Sequence, residues 1–226
     1  MARKYLLEIH PQTHEGWPDS LLPPFADWGE FETDADRLRK DPESIRVVFF
    51  AGGTDVSPSL YGEQRSSKTE EPDVDRDRIE SELFQLAFKA NLPMIGICRG
   101  SQFLCAMAGG KIGQHVEGHG LEREQTHPVR AIDVDGRTIE FASSSRHHQI
   151  QLPPSSAEVL AWAAPRLTDA SYLDGNDQSV PLPQDYEAAF HPGIRAIGFQ
   201  WHPEWMDIDH PCVAYTKRIS IDRLKL

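Results

Sequence analysis

The chain has 226 residues, with 26% charged and 39% hydrophobic residues and a formal net charge of -12. That length suits one large domain or two small ones, and the negative balance argues against nucleic acid as a main partner, because phosphate binding needs basic patches. Three cysteines, Cys98, Cys105 and Cys212, are too few and too odd a set for a disulfide framework and suit a reducing cytoplasm.

The opening Met1–His10 segment has a short apolar run broken by Glu8. It reads as a strand over Lys4–Ile9 rather than a signal peptide, and no stretch has the length and purity of a membrane span. His10–Pro24, rich in Pro, Gly, Asp and His, reads as a surface loop, and Phe25–Lys40 has room for a short helix. Ile45-Arg46-Val47-Val48-Phe49-Phe50 is a β-branched and aromatic run with little alternation, as expected of a strand buried on both faces in a parallel sheet. It ends in Ala51-Gly52-Gly53-Thr54-Asp55, a loop at the edge where open α/β sheets bind ligands.

A helix is expected from Asp73 to about Asn91, with Ile79, Leu83, Leu86, Ala87 and Ala90 on its apolar face. Asp73, Asp75 and Asp77 sit near the positive end of its dipole and read as a solvated helix start. A strand then leads into Gly96-Ile97-Cys98-Arg99-Gly100, followed by an almost wholly apolar helix over 99–108 that Gly109-Gly110 ends. Val129–Val134 and Thr138–Phe141 read as a hairpin about Asp135-Gly136. Val159–Ala164, Arg166–Tyr172 and Arg195–Gln200 are further strands, Asp174–Asp185 a loop, and Pro211–Leu226 a helix burying Val213, Tyr215, Ile219 and Leu224. With no internal repeat and no linker, residues 1–226 are expected to form a single domain. Its sheet should be mostly parallel, with an antiparallel extension where several strands follow one another.

The chemistry centres on Cys98. Small residues around it permit a sharp strand-to-helix turn that leaves the thiol exposed, and a helix N-terminus favours the reactive thiolate. His202, just past the strand that ends at Gln200, is a suitable base, and Glu204, beyond a stiffening Pro203, a suitable orienter. The backbone N–H groups of Arg99 and Gly53 are candidate donors to a developing oxyanion. This constellation suggests acyl transfer through a thioester. Cys105, on an apolar helix face, reads as core. His115, His119, His127, His147 and His148 raise the possibility of a metal, but Gly113, Gly118 and Gly120 oppose a helical histidine pair, so neither metal nor cofactor is expected.

Two stretches, Gly96-Ile97-Cys98-Arg99-Gly100-Ser101-Gln102 and Gln200-Trp201-His202-Pro203-Glu204, resemble the signatures of class I glutamine amidotransferase domains. With Gly52-Gly53-Thr54-Asp55-Val56-Ser57-Pro58-Ser59-Leu60-Tyr61-Gly62, Asp75-Arg76-Asp77 and Ser145-Arg146-His147-His148-Gln149, the pattern is similar to the γ-glutamyl-γ-aminobutyrate hydrolase branch of the γ-glutamyl hydrolase peptidases. The resemblance implies a flavodoxin-like three-layer α/β sandwich and a Cys98–His202–Glu204 triad, with Gly53 and Arg99 at the oxyanion-hole positions. It implies glutamyl binding by Gln102 and, on the loop after the hairpin, by Ser144, Ser145 and His148. The implied activity is cysteine-dependent hydrolysis of a γ-glutamyl amide, acting on a small γ-glutamyl compound or glutamine. The alternatives are a glutaminase subunit delivering ammonia to a synthetase partner, and an inactive regulatory domain on the same fold. The chain departs from the family at its N-terminus and over Asn176–Tyr186, so the resemblance does not name the leaving amine.

Overall fold

The computed structural model describes residues 4–9 and 21–226. The loop expected over His10–Pro24 therefore lies mostly outside the described residues. A nine-stranded sheet organises the molecule, in the order β2-β1-β3-β4-β13-β12-β9-β6-β7. Its first half consists of β1 (Tyr5–Ile9), β2 (Glu30–Glu32), β3 (Ile45–Phe50), β4 (Met94–Ile97) and β13 (Ala196–Phe199), all parallel to their neighbours in that half. Its second half, β6 (Thr126–Ile132), β7 (Thr138–Ser144), β9 (Glu158–Ala163) and β12 (Tyr186–His191), is antiparallel throughout. Two small ribbons pair β5 (Lys111–Gly113) with β8 (Ile150–Leu152), and β10 (Ser171–Leu173) with β11 (Ser179–Pro181).

Helices cover both faces. Along β3, Val47 and Phe49 enter one apolar cluster and Val48 and Phe50 the other, which is the period-2 alternation of a strand buried on both sides. The first cluster takes Tyr215, Ile219 and Leu224 from α4 (Pro211–Leu224), together with Phe25 and Trp28. The second takes Leu38 from α1 (Asp36–Lys40), Leu83 and Phe84 from α2 (Val74–Lys89), and Phe103 and Leu104 from α3 (Arg99–Met107). The result is a three-layer α/β sandwich.

Several local expectations need correction. Ile79 is exposed, because the inner face of α2 carries Arg76, Asp77 and Glu80 instead. Asp73 does start the helix, accepting the Arg76 N–H at 2.9 Å, but Asp77 is buried and ion-paired rather than solvated. Phe25–Lys40 holds the expected short helix as α1, preceded by a 3-10 turn and β2. Of Arg166–Tyr172 only the end is strand; β10 pairs with β11, inside the segment read as a loop. β12 had no counterpart in the sequence reading.

Candidate active site

Glycines set the turn at Cys98. A Cβ on Gly96 would stand 2.3 Å from the Gly100 carbonyl oxygen, and one on Gly100 would stand 2.0 Å from that of Phe50, so α3 can start this close to β3 and β4 only without side chains there. Between them Cys98 adopts φ 52° and ψ -111°, a conformation that non-glycine residues rarely take. Its N–H donates to the Phe199 carbonyl at 2.7 Å, and its Sγ lies 3.9 Å from the Arg146 carbonyl oxygen.

Strand pairing delivers the base. β13 runs parallel beside β4 with Phe199 opposite Ile97, so the residues just past both strand ends meet. The backbone N–H of His202 donates to Ser144 Oγ at 2.9 Å, and its Nδ1 lies 2.7 Å from Glu204 Oε1. The Trp205 ring stacks on the imidazole at 3.7 Å, within 5° of parallel, and the Arg123 guanidinium lies 5.4 Å from the indole centre. Burial is the strongest influence on His202 and disfavours the imidazolium. The Glu204 carboxylate and the charge and hydrogen bond of Cys98 outweigh it, raising the pKa to about 10.

Cys98 borders a cavity of about 340 Å³ whose lining includes Gly53, Asp55, Gln102, Arg146, His147 and His148. Gly53, Gln102 and His148 line the same cavity as the thiol. Ser144 and Ser145 do not line this cavity: Ser144 holds the His202 backbone, and Ser145 Oγ lies 2.9 Å from His119 Nδ1 and 3.1 Å from the His119 carbonyl. His148 Nε2 lies 3.1 Å from Asp55 Oδ1, and this hydrogen bond holds the imidazole above its ordinary range. The other two cysteines are wholly buried and away from the cavity; burial pushes the Cys105 thiol up to about 12 and raises Cys212 further.

One supporting feature escaped the sequence reading. Arg99 pairs through its guanidinium with Asp77 and Glu80, and Arg76 Nε donates to Glu80 at 2.7 Å, all four side chains being buried. Arg76 Nη2 also donates to the carbonyls of Ala51 and Gly52 at 3.0 and 2.9 Å, and Asp77 accepts the Ser57 N–H at 2.9 Å. The network ties the residue after the cysteine to the loop carrying Gly53. The i,i+4 spacing of Arg76 and Glu80, and the Asp75-Arg76-Asp77 stretch within the family pattern, were its signals in the sequence. Among the described residues two groups can offer three metal-ligand atoms each: His119, His127 and Glu187 in the interior, and Asp55, Glu70 and His148 at the cavity.

With this geometry in view, the family model for peptidase C26 matches residues 31–167. The chain belongs to the peptidase C26 family. The matched stretch carries Cys98 and stops before His202 and Glu204, which the parallel pairing of β4 and β13 brings to it. Relatives include the glutamine amidotransferase-like protein YvdE of Lactococcus lactis, 30% identical over 71% of this chain and 66% of its own length. The γ-glutamyl-γ-aminobutyrate hydrolase of Escherichia coli O157:H7 is 29% identical over 67% of this chain and 61% of its own. The chain thus spans less than two thirds of either relative.

Among solved structures, a glutamine amidotransferase from Thermotoga maritima superposes with a TM-score of 0.58 at 16% identity, covering 90% of this chain and 77% of its own. The glutaminase domain of Trypanosoma brucei CTPS, with bound acivicin, gives 0.54 at 14% identity over 98% and 94%. These likenesses show the fold, that of the class I glutamine amidotransferases, as the sequence pattern implied. Family and fold agree with the expected hydrolase of glutamine amidotransferase type. No helix among the described residues is long and apolar enough to cross a membrane.

Proposed function

We propose that the protein hydrolyses γ-glutamyl amide bonds through a glutamyl thioester on Cys98. The observation that carries this reading is the thiol on a strained turn, beside an imidazole that Glu204 holds at 2.7 Å. In the proposed cycle Cys98 attacks the side-chain carbonyl, and the developing oxyanion accepts from the N–H groups of Arg99 and Gly53. Arg99 opens α3, so its N–H has no acceptor within the helix. The amine leaves with a proton from His202, and water, deprotonated by the same imidazole, then hydrolyses the thioester to release glutamate. Gln102 and His148 are the proposed contacts to the glutamyl group, since both line the cavity. For Ser144 and Ser145 the hydrogen bonds to His202 and His119 support a role in holding the wall. Three unpaired cysteines support a cytoplasmic setting.

A glutaminase subunit feeding ammonia to a synthetase partner is the second reading, favoured by the likeness to the CTPS glutaminase domain. Amine release from γ-glutamyl-aminobutyrate, measured against ammonia release from glutamine, separates the two. Amide hydrolysis by the isolated chain supports the first; glutaminase activity that needs an added synthetase overturns it. A diazo-ketone analogue of glutamine should label Cys98, and Cys98→Ser should lower kcat by at least about 10³-fold with the fold retained. Failure of the wild type both to label and to turn over any γ-glutamyl amide would leave a binding domain.

A further inference from the structure

His147, which lines the cavity, leads into a buried polar cluster. Glu187 of β12 is 0% exposed, and its Oε1 stands 3.3 Å from His119 Nδ1, 3.3 Å from His127 Nε2 and 4.0 Å from His147 Nε2. Neither Glu187 oxygen makes a hydrogen bond, nor does His147 Nε2. A carboxylate buried in this state needs a balancing cation or proton.

One ring proton can be assigned from a fixed acceptor. His147 Nδ1 lies 2.7 Å from the Gln149 carbonyl oxygen, which only accepts, so the proton sits on Nδ1 and the Nε2 lone pair faces a carboxylate oxygen. His119 Nε2 lies 3.3 Å from Asp185 Oδ2, and its Nδ1 lies 2.9 Å from Ser145 Oγ and 3.3 Å from Glu187 Oε1. Burial disfavours the His119 imidazolium, but the Asp185 and Glu187 carboxylates raise its pKa to about 9, so a proton there balances Glu187 unless a metal cation takes its place.

The distances favour the metal. Charge-assisted hydrogen bonds run at about 2.7–2.9 Å, whereas two ligands on a tetrahedral ion, each bonded at about 2.0–2.1 Å, stand roughly 3.3 Å apart. The donor atoms of His119, His127 and Glu187 all lie within 4.8 Å of one another. In metal centres the non-ligating ring N–H is commonly held by a carboxylate or a carbonyl, the part that Asp185 plays for His119 here. Asp185 is itself fixed by the N–H groups of Leu167 and Thr168 at 2.8 and 2.9 Å.

We propose that His119 Nδ1, His127 Nε2 and Glu187 Oε1 bind a divalent transition-metal ion of the zinc class. A nitrogen-rich set with one carboxylate suits zinc over magnesium or calcium. The site is closed, so the ion is structural. It pins His119 to β6 and β12, the His119 carbonyl accepts the Ser145 hydroxyl and the His147 N–H, and the segment 145–149 presents the Arg146 carbonyl to Cys98. The proposal departs from the sequence expectation of no metal, and it does not depend on which amide the enzyme cleaves.

Elemental analysis of the untagged protein, purified without chelator, should find about one zinc per chain. Metal-free protein given Co²⁺ should show the visible bands of tetrahedral cobalt, which added Zn²⁺ removes. Glu187→Gln and His127→Ala should each lose the ion, and chelator should lower the Tm of the wild type in a way that Zn²⁺ reverses and Mg²⁺ does not. Folded wild type that is metal-free as isolated and takes up neither Zn²⁺ nor Co²⁺ stoichiometrically would overturn the proposal. The cluster would then be balanced by a proton on His119. Because the uptake test uses wild type, failure of a variant to fold leaves it decisive.

Discussion

His202 sits between the Glu204 carboxylate and the Cys98 thiol with Trp205 across its face, and its raised pKa has a definite consequence for stability. The folded value, about 10, lies above the ordinary histidine value of 6.5. The stability gained from protonating it in the fold is therefore fully present below about pH 6.5 and is lost as the pH rises through about 10. An NMR titration should place the His202 imidazole transition near pH 10. The unfolding free energy should fall between pH 7 and 10 by more in the wild type than in Glu204→Gln. A His202 signal that titrates near pH 6.5 would refute the account. At this scale the sequence was legible where residue type and neighbours together specify a role: Gly96, Cys98 and Gly100 make a turn, and His202-Pro203-Glu204 makes a base and its orienter. It was illegible at Ser144 and Ser145, because adjacent polar residues leaving a strand do not reveal which of them faces a cavity and which faces the protein.

At the scale of elements, α2 ranks as part of the site although none of its residues borders the cavity. Its buried Asp77 and Glu80 hold Arg99, and its Arg76 holds the carbonyls of Ala51 and Gly52. Removing one charge from such a network leaves buried guanidinium groups uncompensated, at a cost of about 3–5 kcal/mol. Glu80→Gln, nearly the same shape, should therefore lower the unfolding free energy by that amount in urea titration. It should also lower kcat more than it changes KM, by disturbing both proposed oxyanion donors. A loss below about 1 kcal/mol would show that the network adds nothing net. The amphipathic pattern foretold α2 but assigned its inner face to Ile79, because apolar periodicity cannot register a face that is buried through ion pairs. β12 was missed for a related reason: Tyr186-Glu187-Ala188-Ala189-Phe190-His191 carries a buried carboxylate and two alanines where a strand normally shows β-branched residues.

For the whole molecule, the two apolar clusters are the two sides of one sheet, since neighbouring residues of β3 feed opposite clusters. Neither cluster can be exposed while the other stays packed. Thermal unfolding followed by far-UV circular dichroism and by tryptophan fluorescence should thus give one coincident transition. Two resolved transitions would mean that the antiparallel half folds as a separate unit. The order of strands was beyond the sequence, because β4 and β13 are separated in the chain by the whole antiparallel half, and no local pattern announces which distant strand will be a neighbour.

That pairing also bears on when the proposed activity can first arise. The chain is made from its N-terminus, and β13, the last of the described strands, begins 99 residues after Ile97. Until then the edge of β4 has no β13 beside it, the Cys98 N–H has no Phe199 carbonyl to hold it, and no imidazole stands next to the thiol. Such a long-range closure belongs among the slow steps of folding. A chain that still lacks β13 thus carries an unarmed cysteine, and the contact that builds the site arrives with that strand.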